Sequence, residues 1–344
     1  MNQMTSHERP GVYSSYDASS IVQGGGGAYA VGIAAQCETG EAGALYHFSR
    51  FEEAAETFGE EAALSGLVKL LFQNGAAAVY AVPVAGEDYT QAFSLLGSAE
   101  GAAILTCDST ELTVQQALRE CVMEASQARR ERIAVVSGGA ESVQALTQRA
   151  AGLNCERVVL VGPAAGEDNG AALAAAVAGA IAGERDPAVP LGGAELKGLN
   201  GLSARYTDGE IDTLVQGGVT PVEESGGIYT VVRGVTTRTK TGGASDTTWR
   251  ELSTIRIVDD VIPTVREALR VKFRRAKNNE QSRGAIRSQV VLELENKVNR
   301  EIINSYDGVT AQADPQNPTV CRVEFAFSVT HGLNQIWLSA HITV

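Results

Sequence analysis

Between Cys321 and Val344 the chain alternates at a period of two. Val323, Phe325, Phe327 and Val329 fall on one side, while Glu324, Ala326, Ser328 and Thr330 fall on the other. After His331-Gly332-Leu333-Asn334 the alternation resumes with Ile336, Leu338, Ala340, Ile342 and Val344 on one face. Two closing strands are predicted. Chain ends normally fray, so this apolar end is expected to be docked in a sheet, in its own subunit or a neighbour's.

Upstream, from residue 28 to about 183, the pattern is apolar strand, turn, helix, repeated. Strands are predicted at 28–36, 76–82, 102–106, 132–136 and 157–161. Helices are predicted at 61–73, 89–96, 112–128, 142–151 and 171–182. Buried strands alternating with helices require crossover connections, so the body is expected to be α/β: a mostly parallel sheet with helices on both faces. Residues 184–246 change character. Gly and Pro punctuate them, with a short β-like piece at 228–232, and they are read as an irregular excursion and linker.

From 247 onward a compact α+β unit is expected. Residues 252–258 lead into a helix that Asp259 or Asp260 can cap, with Pro263 in its first turn and Val261, Val265, Leu269 and Phe273 as a buried stripe. A second helix, about 280–305, repeats Ile286, Val290, Leu294, Val298 and Ile302 and stops at Asp307-Gly308. A loop at 309–319, containing Pro315 and Pro318, then delivers the chain to the closing strands. The opening segment 1–27 is polar with scattered apolar residues, among them Val12 and Tyr13. It ends in Gly24, Gly25, Gly26 and Gly27, a flexible joint, and so reads as an extended arm tethered to the body.

Charge changes this picture in one place. The chain has 28 basic against 41 acidic residues, a net charge of −13, which argues against general binding of nucleic acid or anionic membrane by the body. Between Pro263 and Arg287 eight basic residues face two acidic ones, so this segment carries +6 and the remainder −19. Arg266, Arg270, Arg274, Arg275 and Lys277 concentrate that charge beside the apolar stripe. An acidic partner surface competes there with a merely solvated helix face.

Candidate chemistry adds little. The five cysteines are scattered without a C-x-x-C pair, so no disulfide framework or zinc site is indicated, and no run has the ~20 apolar residues of a membrane span. The glycine run precedes a strand and lacks phosphate-binding spacing. Asp108 and Ser137-Gly138-Gly139 sit just past strand ends, where doubly wound enzymes place ligands. Both read more simply as cap or turn residues. His7, His47, His331 and His341 have no catalytic partner at a recognisable spacing. Neither an active site nor a cofactor or metal site is expected.

Glu8-Arg9-Pro10-Gly11-Val12-Tyr13, the Trp249-Arg250-Glu251-Leu252 opening and the Arg256-Ile257-Val258-Asp259-Asp260 helix start, in this order around an α/β body, resemble the tail sheath proteins of contractile bacteriophages and contractile injection systems. The resemblance spans essentially the whole chain. It implies a linking arm at 1–27, an α/β body at 28–183, the excursion at 184–246 and a sheath module at 247–344. It implies a structural, mechanical subunit that polymerises helically around a tail tube and contracts to drive that tube through a cell envelope, as in viral genome ejection.

The implied partners are other copies of the chain, the tail tube protein, and baseplate and tail terminator proteins, with no direct nucleic acid and no membrane insertion. The implied location is the virion tail, assembled in the bacterial host cytoplasm. Strand addition between subunits falls to Val12, Tyr13, Ile336, Leu338, Ala340, Ile342 and Val344. Hinges fall to Gly24 to Gly27, Pro315 and Pro318, and the tube contact to the basic face. Whether residues 331–334 turn back within one subunit or pass to the next is left open. A doubly wound enzyme with an unrecognised active site and a non-contractile self-assembling adhesin or coat stand as alternatives.

Overall fold

The alternating periods of the body fold into strands and helices that appear in a computed structural model describing residues 29–165, 170–334, 336, 338 and 339. In chain order the body comprises β1 (Ala30–Gln36), β2 (Tyr46–Phe48), α1 (Phe51–Phe58), α2 (Ala63–Gln73), β3 (Val79–Val84), α3 (Thr90–Ser98), β4 (Ala102–Cys107), α4 (Leu112–Gln127), β5 (Ile133–Ser137), α5 (Val143–Leu153), β6 (Val158–Gly162) and α6 (Ala171–Gly183). It continues with β7 (Glu195–Leu196), α7 (Asp208–Gln216), β8 (Val219–Ser225) and β9 (Ile228–Val231), and the small hairpin β10 (Lys240–Thr241) and β11 (Ala244–Ser245) follows.

Nine of these strands form one sheet in the order β2-β3-β1-β4-β5-β6-β8-β9-β7. The central pairs from β3 through β8 are parallel, and antiparallel strands close both ends. Because both faces are covered, the strands are apolar throughout and simply alternate between two cores. Val31, Val79, Ile104, Val135 and Val159 face α1, α2 and α6. Ala34, Val82, Leu105, Val136 and Leu160 face α3, α4 and α5. The Ala-rich α6 is buried on nearly every side, as expected of a helix without an amphipathic stripe. Glycine lets it approach α2: a Cβ on Gly179 would lie 2.7 Å from the Leu71 carbonyl oxygen.

Segment 184–246 differs from its reading as an irregular excursion, because β7, α7, β8 and β9 extend the body and β8 pairs in parallel with β6. Helix α7 carries a capping box, Thr207-x-x-Glu210, in which Glu210 Oε2 accepts the Thr207 backbone N–H at 2.8 Å.

The C-terminal module contains α8 (Leu252–Phe273), α9 (Glu280–Asn299), β12 (Ile303–Ala313) and β13 (Cys321–Val329). Three expectations are corrected here. Helix α8 starts at Leu252, so Asp259 and Asp260 are interior residues and Pro263 lies inside the helix. Burial of Leu252, Ile255 and Ile257 against the body and module makes the extra turns favourable.

Helix α9 ends at Asn299, and the run expected to finish it turns at 300–302 and enters β12 at Ile303. Ile302 and Ile303 stay buried, and Asp307-Gly308 is a bulge within β12. The loop expected at 309–319 is reduced to the turn between β12 and β13. Residues 331–334, 336, 338 and 339 contain no strand, and the rest of the second closing strand expected there lies outside the described residues.

Candidate functional site

The module's sheet consists of β12 and β13 paired antiparallel, from Ile303 opposite Val329 to Ala313 opposite Cys321. The period-two expectation for β13 holds residue by residue. Val323, Phe325, Phe327 and Val329 are half-buried, whereas Arg322, Glu324, Ala326 and Ser328 are exposed. The inward residues pack on Val261 and Val265 of α8 and on Val290 and Leu294 of α9. Among the described residues these two strands pair only with each other, so each carries one open edge. An open edge is a row of unspent backbone donors and acceptors, ready to accept another strand.

The turn at the tip is held from several sides. Asp314 Oδ1 accepts the Gln316 N–H at 2.7 Å, and Arg322 approaches Oδ2 at 2.7 Å. The backbone bond from Gln316 and the Arg322 side-chain bond hold the Asp314 carboxyl below the ordinary carboxylate range. Asn278 Nδ2 donates to the carbonyls of Pro318 (2.7 Å) and Val320 (3.1 Å). Pro315 and Pro318 lie in this turn.

After β13 the chain leaves the sheet. Thr330 anchors the exit by donating its hydroxyl to the Glu301 carbonyl at 2.7 Å. Gly332 then lies against Pro190, so close that an added Cβ would come 2.7 Å from the proline Cβ. Asn334 lines a crevice with residues of α7 and with Arg233 and Arg250. Residues 331–334 thus run past Pro190 towards α7. Leu333, Ile336 and Leu338 are 76%, 79% and 92% exposed, so the apolar face of the tail has no cover among the described residues. Of the other residues expected to link subunits or to hinge, Val12, Tyr13, Gly24, Gly25, Gly26, Gly27, Ala340, Ile342 and Val344 lie outside the described residues.

The basic face divides into two sets. Arg266 reaches the body, where Glu131 Oε1 accepts from it at 2.6 Å. Arg270 pairs with Glu267 three residues earlier. Arg274, Arg275 and Lys277, at the end of α8 and in the link to α9, are exposed and outside the ion pairs of the described residues. Val271 sits among them at 72% exposure.

A row of charges that sequence reading missed joins module to body. Arg157 donates to Asp259 through both terminal nitrogens, at 2.7 and 2.8 Å, and Arg256 donates to the Glu184 carbonyl at 2.8 Å. Burial pushes the Asp259 carboxyl up, with the Arg157 hydrogen bonds opposing it. Within the module Asp260 pairs with buried Lys297. Partners a hundred residues apart leave no local signal. Lys297, three residues after Leu294 on the apolar face of α9, was the one visible hint.

Of the positions weighed for an enzyme, Asp108, Ser137 and His47 make local structural contacts. The strand order reverses between β1 and β4, where a doubly wound protein would bind its ligand. Asp108 sits there, but its Oδ2 accepts the Gln36 N–H at 2.8 Å and its Oδ1 the Tyr89 hydroxyl at 2.6 Å. Burial, reinforced by that bond, raises the Tyr89 hydroxyl far above its usual range. Ser137 Oγ accepts the Gly139 N–H at 3.2 Å, tying its own turn. His47 packs on Tyr80, and His331 is exposed on the exit path; His7 and His341 lie outside the described residues. Among the described residues no cluster of His, Cys, Asp and Glu could hold a metal, and no helix is long and apolar enough to cross a membrane.

Comparison with known proteins agrees with this geometry. Residues 83–237 match the phage tail sheath protein central domain, and residues 244–343 match the phage tail sheath C-terminal domain. Comparison with curated protein sequences yields no match. Among solved structures, a chain of the anti-feeding prophage baseplate is similar over 98% of this chain and 100% of its own, with a TM-score of 0.76 at 17% identity. The contracted helical sheath of the same prophage is similar over 98% and 99%, with a TM-score of 0.72 at 17% identity. The sheath tail protein of Listeria innocua is similar over 90% and 93%, with a TM-score of 0.71 at 12% identity. The family is structural, not enzymatic, and the chain belongs to it: the phage tail sheath protein family.

Proposed function

We propose that this sheath subunit polymerises into a helical tube around a tail tube and contracts to drive that tube through a target envelope. The observation that carries the reading is the open two-stranded sheet combined with an exposed apolar tail in the same chain. A two-stranded sheet is marginal by itself, and added strands would satisfy both edges. The tail has a matching need. Each fully buried Leu or Ile side chain gains roughly 1.5–3 kcal/mol over its exposed state. Head-to-tail exchange of strands does not close on itself, so it propagates a helix.

In this reading the arm 1–27, with Val12 and Tyr13, and the tail, with Ile336, Leu338, Ala340, Ile342 and Val344, link neighbours. The body 28–183, together with 184–246, is the rigid block, and module 247–344 carries the shared sheet. Gly24 to Gly27 and the Pro315–Pro318 turn supply the give needed while blocks repack, without breaking the sheet. Arg274, Arg275 and Lys277, flanked by Arg266 and Arg270, face the tail tube through exposed ion pairs, which form readily and release readily. Baseplate and terminator proteins meet the two ends of the polymer, which assembles in the host cytoplasm before the tail is complete.

The test is electron microscopy of the purified chain and of a variant lacking residues 336–344. Tubes or open polymers are expected from the whole chain and none from the shortened one. A whole chain that stays monomeric at high concentration overturns the polymerisation reading, and unchanged assembly of the shortened chain overturns strand addition.

A further inference from the structure

The arm and the tail meet the folded part of the subunit at neighbouring points. Tyr29, where the arm joins the body, is held by its backbone: its N–H donates to the Ala182 carbonyl at 3.2 Å, and its carbonyl accepts from Ala77 at 3.0 Å. Its side chain lines a cavity of about 80 Å³ in the joint between body and module, beside Pro187, Arg256 and Asp259. Arg256, only 7% exposed, also lines a groove of about 290 Å³ with Gly183, Glu184 and Pro190. The tail passes on the Pro190 side, where a Cβ added to Gly332 would come 2.7 Å from the proline Cβ, and the next residue, Leu333, is already exposed. One groove therefore separates the two exits, with buried Arg256 reaching both sides.

We infer that this joint is the pivot about which a subunit turns on its two links when the sheath contracts. The inference rests on the proposal that arm and tail link neighbours and that subunits repack on contraction. A block tethered at two distant points can turn only if a tether stretches or a link slips. A slip of one residue, about 3.3 Å, would put every side chain of a linking strand on the wrong face. A block tethered at neighbouring points turns about them with both spans nearly unchanged, since points on a rotation axis stay in place. The links then change direction and not length, as hinge motion requires. Body and module turn as one, because Arg157 holds Asp259 and Arg256 holds the Glu184 carbonyl across the joint.

Cryo-EM of assembled tails before and after contraction reads the pivot. The distances from Tyr29 and Gly332 to the neighbouring modules that receive each link are expected to change by less than one extended residue, about 3.5 Å. Glu38, beyond the far end of β1 and roughly 20 Å from Tyr29 at 3.3 Å per strand residue, is expected to move several times farther. Displacement of either exit by as much as Glu38 overturns the inference. A second measurement uses tails built from the full chain with Pro190→Cys and Gly332→Cys, which pins the tail exit to the body once the 190–332 disulfide is verified by mass spectrometry. Oxidised tails are expected to contract as fully as reduced ones. A block that reduction lifts overturns the pivot. If neither segment runs to another subunit in the reconstructions, the linking proposal falls and the pivot with it; if both do and the exits still move, the pivot alone is wrong.

Discussion

The guanidinium of Arg157, just before β6, holds the carboxylate of Asp259, inside α8, by two hydrogen bonds of 2.7 and 2.8 Å across 102 residues of sequence. Both side chains are largely buried, at 13% and 15% exposure, so the pair fixes the module on the body where water cannot easily replace either partner. Removing one partner leaves a buried charge alone, which costs about 3–5 kcal/mol. Asp259→Ala should therefore lower subunit stability by that order in urea unfolding. Arg157→Met with Asp259→Leu should recover most of the loss. A single variant as stable as the parent would show that the pair does not fasten the module.

Phe325 faces inward from β13 beside Phe327, with ring centroids 6.3 Å apart, against the α8–α9 core. Phe325→Ala should destabilise the module by about 2–3 kcal/mol, below the full-burial range because the ring is half exposed. Ser328→Thr, on the outward face of the same strand, should shift the unfolding midpoint little. Equal effects would contradict the assigned faces.

The Asp314 carboxyl is held below its ordinary value of 3.8, first by the Gln316 N–H. A depressed carboxyl means that the folded turn binds fewer protons than the unfolded chain. Its contribution is therefore complete above pH 3.8 and is lost as pH falls through the folded value. Amide exchange at Gln316 and Asn317 should accelerate, relative to its intrinsic rate, only in that acid window. In Asp314→Asn the acid step should vanish. A step retained in the variant would assign it elsewhere.

Arg274 and Arg275 are exposed, so reversing both to Glu should change subunit stability by no more than about 0.5 kcal/mol. Assembly on the tail tube should fail, while self-assembly of the variant stays intact. Added salt should weaken assembly of the parent on the tube, since exposed charges are screened. Equal loss of both kinds of assembly would place this face between subunits instead.

The body was legible because its strands are continuous apolar runs and its helices repeat at 3.6 residues, from β1 to the alanines of α6. The signal failed where tertiary context overrode it. Residues 252–258 look like an approach to a helix because Asp259 and Asp260 resemble caps, but both carboxylates are spent on Arg157 and Lys297 inside a longer helix. Ile302 continues the stripe of α9 and stays buried, although it already lies in the turn between α9 and β12. Helix α7 was missed although its Thr207-x-x-Glu210 box was in view, because the surrounding glycines read as loop. The alternation of β13 was the most faithful signal, since one face packs and the other does not. The same alternation beyond Asn334 falls mostly outside the described residues; period two sets which side chains share a face and not which chain supplies the neighbouring strand.

The central claim is that β12 and β13 receive strands from other subunits, and a cryo-EM reconstruction of the polymer formed by the full chain tests it most directly. The account expects each two-stranded sheet to gain strands supplied by neighbouring subunits, with Ile336 and Leu338 buried against the acceptor module. A lattice in which β12 and β13 remain two-stranded, with residues 336–344 on their own subunit, would contradict it.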